Sequence, residues 1–157
     1  MDYLSLLKEA KRELGLADHI LMVAFPIVRD KHIFLNVLTH ADKSVILAIR
    51  AFIAKKKEAR ELRIIPESEE LARRLFFEEF SKIVGITPSE KHLIQELKNV
   101  VIAHRKSQAE IRRGDEYIIF LPNFDSITIN EQNVKRYLSI VRGFINKIEK
   151  VMTNGKP

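Results

Sequence analysis

The stretch from Phe34 to Phe52 constrains the fold more than any other part of the chain. Phe34, Val37, Ala41, Val45, Ala48 and Phe52 follow one another at intervals of three and four, the repeat of one buried helical stripe. Between Val45 and Ala54 the stripe widens until the segment is apolar nearly all round, Arg50 excepted. Such a helix is either central in a bundle or pressed against another subunit. Its expected extent is from about Lys31 to Glu61.

The flanking segments supply neighbours for it. Leu4, Leu7 and Leu14 mark a first helix that stops near Gly15, and Ala17–Val28 forms an apolar segment that Pro26 kinks or ends. After the break "RIIPES", Ser68 or a neighbour caps a helix, "EELARRLFFEEFSKIVG", that stops at Gly85. "TPSE" is a capping box in which Thr87 and Glu90 satisfy each other's amides and Pro88 sits where no N–H is needed. The helix it opens is expected to run to about Arg113, close to 40 Å at ~1.5 Å per residue. A last helix, about Glu131 to Met152, carries Val134, Leu138, Val141, Ile145, Ile148 and Met152 on one face, with Asn130 as its cap. "EYIIFLPNFDSITIN" is instead β-branched and aromatic around a Pro-Asn-Phe-Asp turn, so a short hairpin spans Tyr117 to Ile129. The predicted fold is mainly α, an up-and-down bundle of four or five helices with a short β-hairpin before the last helix. It forms one domain over residues 1–152, and residues 153–157 read as a disordered tail.

Composition narrows the chemistry. With 157 residues, 46% of them apolar and 31% charged, the chain suits a soluble globular domain. The lack of cysteine excludes disulfides and thiolate catalysis. No signal peptide is visible and the apolar runs are too short to span a bilayer, so a cytoplasmic protein without membrane contact is expected. The net charge of +6 is uneven: residues 91–157 hold 12 Lys/Arg against 7 Asp/Glu, which favours an anionic partner there. His19, His32, His40 and His92 are scattered and show no metal-ligand spacing, and no glycine-rich phosphate loop is present, so no metal or cofactor is expected. His40 and Lys43 read as an edge of the long helix, Asp2, Asp18 and Asp42 as caps or surface charges, and Phe76, Phe77 and Phe80 as core.

"KNVVIAHRKS", Lys98 to Ser107, departs from this pattern. On the helix opened by Thr87 the apolar stripe passes through Leu93, Leu97, Val100, His104, Ser107 and Ile111, which turns His104 toward the bundle or an interface. Lys91, Lys98, Arg105 and Arg112 recur every seven residues as a separate basic ridge. The ridge is either a solvated face or, through Lys91, Arg105 and Arg112, a nucleic-acid contact.

A basic residue, then a polar one, then a spacer and a histidine on the penultimate long helix of an α-bundle resembles the HEPN superfamily (higher eukaryotes and prokaryotes nucleotide-binding). Lys98 stands at the position of the family's arginine, Asn99 at the polar position and His104 at the histidine. The resemblance implies a metal-independent endoribonuclease of a toxin–antitoxin or defence system, acting on RNA as a homodimer with the motif helices facing across the two-fold axis. It implies His104 as general acid/base, Lys98 as the cation stabilising the phosphorane, and Asn99 holding the phosphate. The departure is Lys98 itself, a point charge where arginine offers a planar fork; Arg105 is the alternative source of a guanidinium. Family members without a working motif serve as binding partners, for example beside a nucleotidyltransferase, so a nucleotidyltransferase or an antitoxin is the further partner expected here. A non-catalytic dimerisation or docking module, using the girdle Val45–Ala54 and the hairpin edge, therefore stands beside the enzymatic reading.

Overall fold

A computed structural model describes residues 2–30, 32–107 and 109–154. Helix α1 (Tyr3–His19) starts on Asp2, whose carboxylate accepts from the Ser5 amide at 2.8 Å. It does not stop at Gly15. It widens into a π turn over Ile20–Ala24 and resumes as α2 (Phe25–Val28), so the rod absorbs Pro26, which has no N–H for the preceding turn, without breaking. Arg29, at φ 57°, ends the rod. The long central helix α3 spans Ile33–Glu58; the expected start at Lys31 lies outside the described residues.

Ser68 accepts from the Leu71 amide and opens α4 (Glu69–Leu75), which passes through a π turn, Phe76–Phe80, into α5 (Ser81–Val84). Gly85, at φ 86°, closes this rod in the left-handed conformation that glycine adopts most readily. The Thr87–Glu90 capping box is formed in both directions and opens α6 (Pro88–Lys106). Strands β1 (Ala109–Arg113), β2 (Glu116–Phe120) and β3 (Ser126–Asn130) follow as an antiparallel meander in the order β1-β2-β3. The last helix, α7 (Glu131–Asn154), is capped by Asn130, whose side chain accepts from the Asn133 amide. Thr153 and Asn154, expected in the tail, belong to this helix; residues 155–157 lie outside the described residues.

Contacts between rods run in opposite directions along their sequences. Glu13 meets His40 while Lys55 stands over Tyr3, so α1 and α3 are antiparallel. Lys11–Glu149 and Asp18–Arg142 set α1 against α7 in the same sense. The architecture is thus a mainly α bundle with a small sheet before its last helix; because α3 and α7 both run antiparallel to α1, and so parallel to each other, the rods do not alternate strictly up and down as expected.

The girdle on α3 lies at the centre. Val45, Ala48, Ile49, Ala51, Phe52 and Ile53 are all buried within the protomer, which settles the two options for this helix. Phe52, Phe76, Phe80 and Phe144 meet edge to face, with centroids 5.2–5.5 Å apart, and join α3 to the second rod and to α7.

Two expectations about α6 are corrected. The helix ends at Lys106 instead of near Arg113, and the hairpin gains a third strand. Ala109–Arg113 has acceptable helix propensity, but the tight turn at Gly114 (φ 59°) brings it antiparallel to β2, where Glu110 faces Ile119 and Arg112 faces Tyr117. Strand pairing overrides local preference. Ile111 and Arg112 therefore leave the helical stripe and the basic ridge.

Replacing Phe76 with Ala should lower unfolding free energy by about 3–5 kcal/mol, measured by urea denaturation, because its site borders three other rings and cannot collapse. Burial alone would raise the Glu13 and Glu90 carboxyls, but it is outweighed for Glu13 by His40 and Lys43 and for Glu90 by Lys147 and Thr87, so both lie below the ordinary value of 4.5. Their contribution is complete above that value and is lost as pH falls through the lower folded values. The urea midpoint should therefore drop as pH falls below 4.5, and less steeply in Glu13→Gln or Glu90→Gln.

Candidate acid–base site

His104 lies in the last turn of α6, and Ser107 closes that helix with an extended backbone, ψ 143°. The chain then reverses into β1. Side chains alternate along a strand, so Glu110 and Arg112 share the sheet face of their partners Ile119 and Tyr117. That face packs on the helices: Tyr117, Ile119 and Ile129 belong to the core. Glu110 is thereby carried beneath the end of α6, where its Oε1 lies 2.5 Å from His104 Nδ1 and accepts from Ser107 Oγ at 2.7 Å. Tyr117, diagonal to Glu110 across the two strands, donates its hydroxyl to Oε2 at 2.7 Å. His32, in the turn before α3, places Nδ1 2.9 Å from the same hydroxyl. The two imidazole centroids are 6.1 Å apart.

Proton positions follow from this chain of contacts. Burial would raise the Glu110 carboxyl, but hydrogen bonds from Tyr117, His104 and Ser107 outweigh it and hold the group below the ordinary carboxylate value. Burial first, then the bond to Glu110, push the Tyr117 phenol well up, so it keeps its proton and gives it to Glu110. The phenol oxygen is then an acceptor for His32 Nδ1–H, as Glu110 is for His104 Nδ1–H. In each ring Nε2 is left as the nitrogen that gains or loses a proton, and neither Nε2 has a hydrogen-bond partner among the described residues. The His104 side chain is 30% exposed and His32 is more open, so both can meet a solute. Cations stand nearby: Arg112 lies 3.5 Å from Asp30 beside His32, and Arg105 follows His104 on the surface. Among the described residues no three His, Asp or Glu side chains converge as metal ligands.

The residues singled out from sequence divide between two places. His104, Arg105 and Arg112 lie at this end of α6. Lys98 is six residues earlier, about 9 Å along the axis and a third of a turn around it. Its ammonium is 3.2 Å from Asp42 and 2.7 Å from Glu69, and its side chain is only 15% exposed. Arg73 joins the same carboxylates at 2.8 and 3.6 Å. Burial would raise Glu69, but Lys98 and Arg73 outweigh it and hold the carboxyl below its ordinary range. Asp42 is thus a buried counter-ion on α3, not a cap or surface charge. Lys98 and Asn99 do line a cleft of about 430 Å³ between α4 and α6, with Lys91, Arg73 and Arg74, but His104 is not part of it. Within that cleft Lys91 stands over the Phe77 ring, 5.9 Å from its centroid.

Sequence reasoning missed Glu110, Tyr117 and His32 as members of the site. Glu110 was read as a turn of helix and Tyr117 as hairpin, and no spacing links His32 to either. His40 and Lys43, read as a helix edge, clasp the buried Glu13 at 2.5 and 3.2 Å.

Lys98→Met should cost about 1–3 kcal/mol in urea denaturation, since it leaves two carboxylates to Arg73 alone. The variant should leave the His104 imidazole resonances unmoved in an NMR spectrum. Comparison of the chain with protein-family models, with curated proteins and with solved structures found no match, so its site is read from its own geometry.

Proposed function

We propose that this chain is a HEPN-like, RNA-directed protein that acts as a metal-independent endoribonuclease. The observation that carries the proposal is the Glu110–His104 pair: an ionised carboxylate fixes Nδ1 as the donor and leaves Nε2, at a partly exposed ring edge, to exchange a proton with substrate. The mainly α bundle and the excess of cations after residue 90 support the same assignment. Within it the roles given by the resemblance are redistributed. His104 remains the acid/base, while Lys98 holds α3, α4 and α6 together through Asp42 and Glu69. Arg105 and Arg112 take over the contact with phosphate charge, and their guanidinium forks suit it better than an ammonium does. A homodimer in a toxin–antitoxin or defence setting, with an antitoxin or a nucleotidyltransferase as further partner, completes the proposal.

The docking alternative retains one observation of its own. Most of the girdle Val45–Ala54 is buried, with only Leu47, Arg50 and Ala54 partly exposed, but Met22, Val23, Ile27 and Val28 project from the π turn and α2 into solvent.

Purified protein should cleave single-stranded RNA in excess EDTA, leaving 2′,3′-cyclic phosphate ends, and His104→Ala should slow cleavage by about 10²–10⁴-fold. Arg112→Gln should weaken RNA binding and reduce its salt dependence, read by titration at two salt concentrations. RNA left intact by the wild-type protein would overturn the enzymatic assignment.

A further inference from the structure

One titratable side chain at this site has no counterpart in the motif. His32 comes from the turn between α2 and α3, far from His104 in sequence, yet its ring meets the His104 ring at 71° with centroids 6.1 Å apart. Both rings are anchored in the same manner, by Nδ1, and their anchors converge on one carboxylate: His104 directly on Glu110, His32 through the Tyr117 hydroxyl. We infer that His32 and His104 form a proton-transfer pair within a single chain, and that the pair serves an RNA phosphodiester with a free neighbouring 2′-hydroxyl. The inference rests on the endoribonuclease assignment above and adds to it a second catalytic residue.

The chemistry needs two such groups. One neutral Nε2 takes the 2′-hydroxyl proton as the 2′-oxygen bonds to phosphorus. The other ring, protonated, gives its Nε2 proton to the 5′-oxygen as the bond from phosphorus to that oxygen breaks. The products are a 2′,3′-cyclic phosphate and a 5′-hydroxyl, with one proton taken up and one released. Two rings this close can both contact one phosphodiester, each needing about 2.6–3.2 Å to its oxygen. The charged groups around the pair are Glu110 and Arg112 from β1, Asp30 from the α2–α3 turn, and Arg105 from α6; Tyr117 comes from β2. Because the rings share an anchor, a change at one has a direct path to the other through Glu110 and the Tyr117 hydroxyl.

The test is the pH dependence of kcat/KM on an oligoribonucleotide, for the wild-type protein, His104→Asn, His32→Asn and Tyr117→Phe, each checked for folding by circular dichroism. The expected wild-type profile is bell-shaped, and a 2′-deoxy substitution at the scissile position stops cleavage. Each histidine variant loses about 100-fold or more and one limb of the bell. Tyr117→Phe keeps both limbs and displaces the one that belongs to His32. NMR titration of the imidazoles gives a readout independent of RNA: His104→Asn shifts the His32 titration, and Tyr117→Phe abolishes that shift. An active protein whose His32→Asn variant retains the full bell overturns the pair and leaves the single-histidine assignment standing. So does a His32 titration indifferent to residue 104. Absence of cleavage by the wild-type protein overturns both.

Discussion

Burial of α3 on nearly every side is the constraint from which the rest of the molecule follows. The inward faces of a helix so placed are closed to water, so any charge on them must be matched inside the protein. It carries Asp42, 3% exposed, and the match is made by Arg73 from α4 and Lys98 from α6. One carboxylate thus fixes how two other helices sit on the centre. The arrangement is not saturated: Arg73 Nε is buried and has no hydrogen-bond partner among the described residues. A second buried carboxylate, Glu13, binds α1 to α3 through His40 and Lys43 in the same way. The aromatic cluster of Phe52, Phe76, Phe80 and Phe144 fills the space between these ionic contacts.

The same constraint divides the chemistry. Lys98 has the residue type and helix position of a phosphate-binding cation, yet Asp42 and Glu69 neutralise it and hold it against α3. His104, six residues further along α6 and on another side of it, lies in the last turn of the helix and outside that network. The three-stranded sheet supplies what the bundle does not at this point: a rigid strand whose alternation turns Glu110 and Tyr117 toward the helix terminus. The site joins a helix end and a strand that adjoin in sequence, brought together by the reversal after Ser107, to the turn before α3, which is remote from both. Rigid support beneath the carboxylate, with open ring edges above it, is the arrangement that acid–base chemistry requires.

The gross fold was legible because it depends on signals confined to a few neighbouring residues. The spacing from Phe34 to Phe52, the Thr87–Glu90 capping box, Ser68, Asn130 and Gly85 each specify one element or its end, and each is found where expected. Errors arose where local signals are weak or compete. Gly15 does not end α1, since glycine is tolerated inside a helix that packing supports. Ala109–Arg113 is neutral between helix and strand, and only its pairing with β2 decides.

By itself, then, the sequence determined a mainly α bundle, a β-hairpin before the last helix, and His104 as a polar residue on an apolar stripe. Periodicity and capping are short-range properties, and they can be read along the chain. Only the tertiary structure decided which cation is sequestered and which carboxylate meets the histidine. The first depends on Asp42 meeting Lys98 across 56 residues, a separation over which no sequence pattern carries information, and the second on the chain reversing after Ser107 into a strand whose pairing with β2 fixes the side on which Glu110 emerges.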